Sequence, residues 1–148
     1  MSERVNIEEI DEKMAKEIER VINRDLEIPV WDYAIGGEDY GLYKVDWFGW
    51  VGNISSPYVN QYYIYDSKEQ GIEHLKQAIG DSLWAVALSY NLHKEYGSAA
   101  AVDVEHTWYA VLQRGNFRDG TQVVEWEECD SEEEARKVIA ARLGRRNG

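Results

Sequence analysis

Twice in this chain a β-type run rich in aromatic residues gives way to Asp-Ser and then to residues that open a helix. The two places are Asp66-Ser67-Lys68-Glu69-Gln70 and Asp130-Ser131-Glu132-Glu133-Glu134. A serine that accepts from the third helical amide, with a Gln or Glu at that position reaching back, is a capping box, so each signature marks a strand-to-helix junction. With the two aligned, Leu75 falls on Ile139, Ile79 on Leu143 and Gly80 on Gly144, and upstream Val59 falls on Val123 and Tyr62 on Trp126. The pattern predicts an α+β domain: an antiparallel sheet made from two hairpin-plus-helix (ββα) units, 40–97 and 102–144, behind an added N-terminal helix over 1–24, all within one domain, 1–148.

The N-terminal helix is read from Ile7, Ile10, Met14, Ile18 and Val21, which recur at steps of three and four, with Asn6 as its cap, Glu9 completing a capping box and Val5 stapled to Ile10. Pro29 and Gly36-Gly37 mark irregular chain or a short strand. Strands are expected over Leu42 to Val51 and Tyr58 to Tyr65, with turn residues from Gly52 to Pro57 between them. Helical periodicity then runs from Ile72 through Leu83, Val86 and Tyr90 towards Gly97, so Gly80 is either a break or a glycine inside one long helix. In the last third, Val102 to Gln113 reads as a strand, Gly115 to Gly120 as a turn, Thr121 to Glu128 as the returning strand, and Ala135 to Leu143 as a helix stopped by Gly144.

Charge narrows the partners. There are 28 Asp and Glu against 16 Lys and Arg, a net charge of −12. That field repels nucleic acid and anionic membranes and draws in basic proteins or cations. The basic cluster Arg142, Arg145 and Arg146 falls at a helix C-terminus, whose partial negative charge it serves. No stretch approaches the roughly 20 apolar residues of a membrane helix, no signal peptide is read, and one cysteine precludes an intramolecular disulfide framework, so the cytoplasm is the expected address.

The familiar catalytic patterns are missing. Neither Gly36-Gly37 nor the Gly49 to Gly52 run has the spacing of a phosphate loop, and there is no nucleophile elbow, zinc motif or EF-hand loop. Of the three histidines, His74, His93 and His106, the first two lie on helical sequence too far apart to share a face turn by turn, so a metal site would need help from tertiary structure, and no metal or cofactor is expected. Cys129 precedes a helix N-terminus, and pairing Gln113 with Gln122 would place His106 opposite it, the layout of a cysteine-dependent enzyme. Against that chemistry, Glu127, Glu128 and Asp130 surround the thiol and disfavour its thiolate. Carboxylate pairs on one strand face, Asp103 with Glu105 and Glu125 with Glu127, are too common in this chain to define acid–base catalysis.

Two features point to binding instead. Trp47, Phe48, Trp50, Tyr58, Tyr62, Tyr63 and Tyr65 crowd the first half, and neighbours on a strand face opposite ways, so one core cannot take them all. Glu125, Glu127, Glu128, Asp130, Glu132, Glu133 and Glu134 form a near-continuous acidic run. Their spacings, about 6.6 Å on a strand and about 6 Å on a helix, approach the step of about 7 Å between successive phosphates. In size and acidity the chain resembles the nucleic-acid-mimicking inhibitors of phages and mobile elements, such as anti-restriction and anti-CRISPR proteins. The expectation is therefore a non-catalytic protein that uses this acidic run, with Trp47, Trp50 and Trp126, to occupy a basic surface of a nucleic-acid-binding partner. A second expectation is a pocket for a sugar or nucleotide, lined by the clustered rings with Asp46, Asn53, Asn60 and Gln61.

Overall fold

The computed structural model describes residues 8–25, 28–45, 49–58, 60–90, 93–95, 99–114 and 123–147. The chain is α+β and divides into two compact units, Met1–Leu75 and Lys76–Gly148, each with its own antiparallel sheet in place of one shared sheet.

The first unit begins with β1 (Glu8–Glu9) and α1 (Glu12–Asp25), then runs through β2 (Trp31–Ile35), β3 (Glu38–Val45), β4 (Gly49–Ser55) and β5 (Asn60–Tyr65). The sheet order is β1-β5-β4-β3-β2, so β2 to β5 form a meander of four strands, not a single hairpin, before the next helix. The N-terminal helix starts later than its periodicity suggests. Glu8 and Glu9 pair with Ile64 and Tyr63, and Asp11 Oδ1 accepts from Met14 N at 2.8 Å, capping α1 in the role expected of Asn6, which lies outside the described residues. Ile10 stands before the helix yet packs on the same core, Met14 is exposed, and the core-facing stripe is Ile18, fully buried, with Ala15, Val21 and Ile22 partly buried around it.

The 42–51 run is a hairpin: Val45 pairs with Gly49 across residues 46–48, which lie outside the described residues, and Gly52 to Ser55 belong to β4. β2 and β3 meet at Gly36-Gly37, where φ values of 56° and 84° suit a two-residue turn closed by glycines. The period of two then separates the rings. Tyr62, with Val45 and Val51, packs against Ile18 of α1, while Tyr63 and Tyr65 lie on the opposite face with Leu42, against the following helix. The two faces thus supply the two cores that adjacent aromatics require.

That helix, α2 (Lys68–Tyr90), is continuous through Gly80. Its capping box is formed: Gln70 N donates to Ser67 Oγ and Asp66 N to Gln70 Oε1, both at 3.2 Å. A glycine inside a helix costs about 1 kcal/mol relative to alanine. In the first unit a Cβ on Gly71 would stand 2.6 Å from Leu42 Cδ1; in the second, one on Gly80 would stand 2.7 Å from Val124 Cγ1. Close seating of helix on sheet explains both. α2 ends at Tyr90, short of Gly97, which lies outside the described residues; His93 belongs to β6 (His93–Glu95) and not to a helix.

The second unit continues with β7 (Ala99–Val104), β8 (Thr107–Arg114), β9 (Val123–Cys129) and α3 (Glu132–Asn147), in the sheet order β6-β7-β8-β9. The expected strand over 102–113 is broken by a turn at Glu105-His106, where both residues have positive φ, 50° and 70°. β propensity on either side conceals it, because neither residue is a usual turn former. Residues 115–120, the expected turn, lie outside the described residues. α3 repeats the cap of α2: Glu134 N donates to Ser131 Oγ at 3.1 Å, and Asp130 N to Glu134 Oε2 at 2.6 Å. Ala135 and Ile139 pack on Ala99, Ala101, Ala110, Leu112 and Cys129. The helix runs through Gly144 to Asn147, so Gly144 does not stop it. Among the described residues no helix is long and apolar enough to cross a membrane.

Candidate functional site

Pairing across the first sheet sets two neighbouring rows of side chains on the face that carries α1. One row runs Asp32, Gly41, Asn53, Tyr62; the next runs Ala34, Asp39, Ser55, Asn60. Gly41 and Ser55 keep the middle of these rows low, and α1 packs on the sheet at Val45, Val51 and Tyr62, so a polar groove stays open beside the helix. It comprises two adjoining hollows. The larger, about 320 Å3, lies over Asp32, Asp39 and Gly41; the smaller, about 190 Å3, reaches Glu19 and Ile22 of α1 with Asn60 and Tyr62. Tyr43, Asn53 and Ser55 line both.

The groove is held from within the sheet. Asn53 Nδ2 donates to Asn60 Oδ1 at 2.8 Å and to the Gln61 carbonyl at 3.0 Å, which uses both amide protons. The Tyr43 ring leans over Gly41, where a Cβ would come 3.0 Å from Tyr43 Cε2. Burial, then the carboxylates of Asp32 and Asp39, push the Tyr43 hydroxyl above its ordinary range. Burial also raises Tyr62, against a lowering hydrogen bond from Asn60, with Glu19 adding to the rise. Both phenols are therefore neutral at physiological pH.

Of the residues expected to line a pocket, Asn53 and Asn60 are brought together here. Gln61 points its side chain to the other face, where it accepts from the Tyr63 hydroxyl at 2.9 Å, and Asp46 lies outside the described residues. Asp32, Asp39, Tyr43, Ser55 and Glu19 were missed. Alternation along Asp39-Tyr40-Gly41-Leu42-Tyr43 was the available signal for the β3 members, but their neighbours come from distant sequence.

The expected acidic surface is divided. Trp50 is half-buried in the first unit, with the Lys44 ammonium 5.1 Å from its ring centroid; Trp47 lies outside the described residues. In the second unit Trp126 is half-buried on the α2 side, its Nε1 donating to the Lys76 carbonyl at 2.6 Å and its ring edge-on to Tyr109. Arg142 spans Glu125 and Glu127 at 3.0 and 2.9 Å; Glu132 pairs with Arg136 at 2.6 Å and Glu133 with Lys137 at 3.7 Å; Glu134 caps α3. Glu128 and Asp130 complete the run as exposed carboxylates.

The cysteine–histidine arrangement does not form. The register joins Trp108, not His106, to Cys129, two residues from the expected pairing, because His106 lies in the β7–β8 turn. Glu105 shares that turn, so it is not a strand-face partner of Asp103. The thiol is raised, first by burial and then by Glu134 and Glu127, with Asp130 adding and the Ala110 backbone hydrogen bond opposing.

The fold therefore defines an α+β protein with a polar groove on its first sheet. In comparisons with protein families, curated proteins and solved structures, none matches this chain.

Proposed function

We propose that this chain is a non-catalytic binding protein and that the groove beside α1 is where it holds a polar ligand. One observation carries this: a hollow stays open at Ala34 and Ser55, beside the Tyr43 ring that covers Gly41, and between Tyr62, Asn53 and two aspartates. Concave sites with a few placed polar groups beside aromatic walls are the usual form of small-ligand sites. Saturation-transfer NMR with sugars, amines and nucleotides tests it. A saturable signal that weakens in Ser55→Val and Asn53→Leu supports the reading. Silence from every probe, or signals unchanged in both variants, ends it.

A second reading keeps the acidic run of the second unit as a nucleic-acid-like surface for a basic partner, which would make the chain an inhibitor or regulator. The net charge of −12 and the adjacent exposed carboxylates Glu128, Asp130, Glu133 and Glu134 favour it. The ion pairs of Arg142, Arg136 and Lys137 weigh against it by placing cations among the acids. Pull-down at low and high salt separates the cases: steered binding falls sharply with ionic strength, and capture indifferent to salt discounts mimicry.

A further inference from the structure

The polarity of the groove restricts what can enter it, and this inference rests on the ligand-binding reading above. The charged groups there are all acceptors, and the Asn60 amide, a fixed donor at the smaller hollow, gives a hydrogen bond to the Tyr62 hydroxyl. Asp32 and Asp39 flank the larger hollow and Glu19 the smaller. Asn53 has both amide protons engaged within the sheet, which leaves only its carbonyl oxygen with capacity. The hydroxyls of Tyr43, Tyr62 and Ser55 adapt to either role. Among the described residues neither hollow is lined by lysine, arginine or histidine.

A phosphate or carboxylate entering here would meet three carboxylates and no compensating cation, so a nucleotide is a poor fit. A neutral sugar would find acceptors but leave the carboxylate charge unanswered. A ligand carrying positive charge on N–H groups satisfies both demands. We infer that the groove takes an organic cation rich in N–H donors, an ammonium or guanidinium group, reaching from Asp32 and Asp39 past Asn53 towards Glu19. That group belongs either to a free polyamine or to a lysine or arginine side chain of a basic protein, and the chemistry at the groove is the same.

The test is an NMR titration of the full chain, following the Gly41 backbone amide and the Asn53 and Asn60 side-chain amides. The probes are spermidine, a terminally blocked Gly-Arg-Gly peptide, glucose and adenosine monophosphate. Saturable shifts of these three signals with spermidine or the peptide, weakened at least tenfold in Asp32→Asn/Asp39→Asn, are expected. Spermidine alone points to a free amine; a stronger peptide response points to a protein side chain. Both substituted residues are exposed and isosteric with their replacements, and an unchanged melting temperature verifies the fold. Shifts spread equally to Glu128 and Asp130 would mean diffuse counterion screening and overturn the inference. Shifts with glucose or the nucleotide alone would overturn it while the ligand-binding reading stands; no shift with any probe removes both.

Discussion

The Tyr65 hydroxyl and His74 Nδ1 lie 2.7 Å apart, joining the last strand of the first sheet to the helix that follows it. Tyr63 closes the group, its ring edge-on to His74 with centroids 4.8 Å apart. Burial pushes the histidine below its ordinary 6.5 and, with Tyr63 adding, pushes the tyrosine well above 10.0. Both partners are thus held neutral, and each sets one limb of a pH profile. As pH falls below about 6.5 the unfolded chain takes up the histidine proton before the folded chain does, so stability is lost from there downward. As pH rises past about 10 the unfolded chain loses the tyrosine proton first, so stability is lost from there upward.

His74→Phe is therefore expected to flatten the acid limb. Urea titrations at pH 8 and pH 5 should show a smaller difference between the two pH values in the variant than in the parent. An equal difference in both would mean that His74 is not the group responsible.

Gly80→Ala tests the seating of α2 in the second unit. At an open helical site this change adds about 1 kcal/mol. Here the new methyl meets Val124 and Trp126, and overpacking of this kind typically costs about 1–3 kcal/mol, so net destabilisation is expected. A lowered urea midpoint bears this out; a raised one would show that the strand yields freely.

The turn between β7 and β8 holds two non-glycine residues at positive φ. Left-handed backbone costs such residues roughly 1–2 kcal/mol each. Replacing Glu105-His106 with Asn-Gly, the pair suited to this turn, should stabilise the protein by about 1 kcal/mol and raise the melting temperature by roughly 2–4 °C. Calorimetry reads the shift directly, and no change would mean that the present side chains offset the strain.

Cys129 is buried, and its thiol is raised by that burial and by the carboxylates around it. Labelling with a thiol reagent at neutral pH should be slow and should quicken under urea. Fast labelling in native buffer would restore the case for a reactive nucleophile.

Both capping boxes were legible in the sequence, because a cap spans four residues and owes nothing to distant chain: Ser67 with Gln70 and Ser131 with Glu134 bond as their spacing predicts. The buried positions Leu75, Ile79 and Ile139 were legible for the same reason, helical periodicity being local. The start of α1 was not, since Ile7 and Ile10 keep helical spacing although Glu8 and Glu9 pair with β5. The groove was half visible: Asn53 and Asn60 stood out, while Asp32 and Asp39 did not.

By itself the sequence determined an acidic α+β chain with two capped strand-to-helix junctions, since charge, caps and periodicity are properties of short stretches. Tertiary structure alone decided that the sheets are two, that Trp108 and not His106 faces Cys129, and that Asp32, Gly41 and Asn53 share one row. Register depends on where each turn falls, and a shift of two residues changes every cross-strand neighbour while leaving the in-and-out pattern of the strand intact.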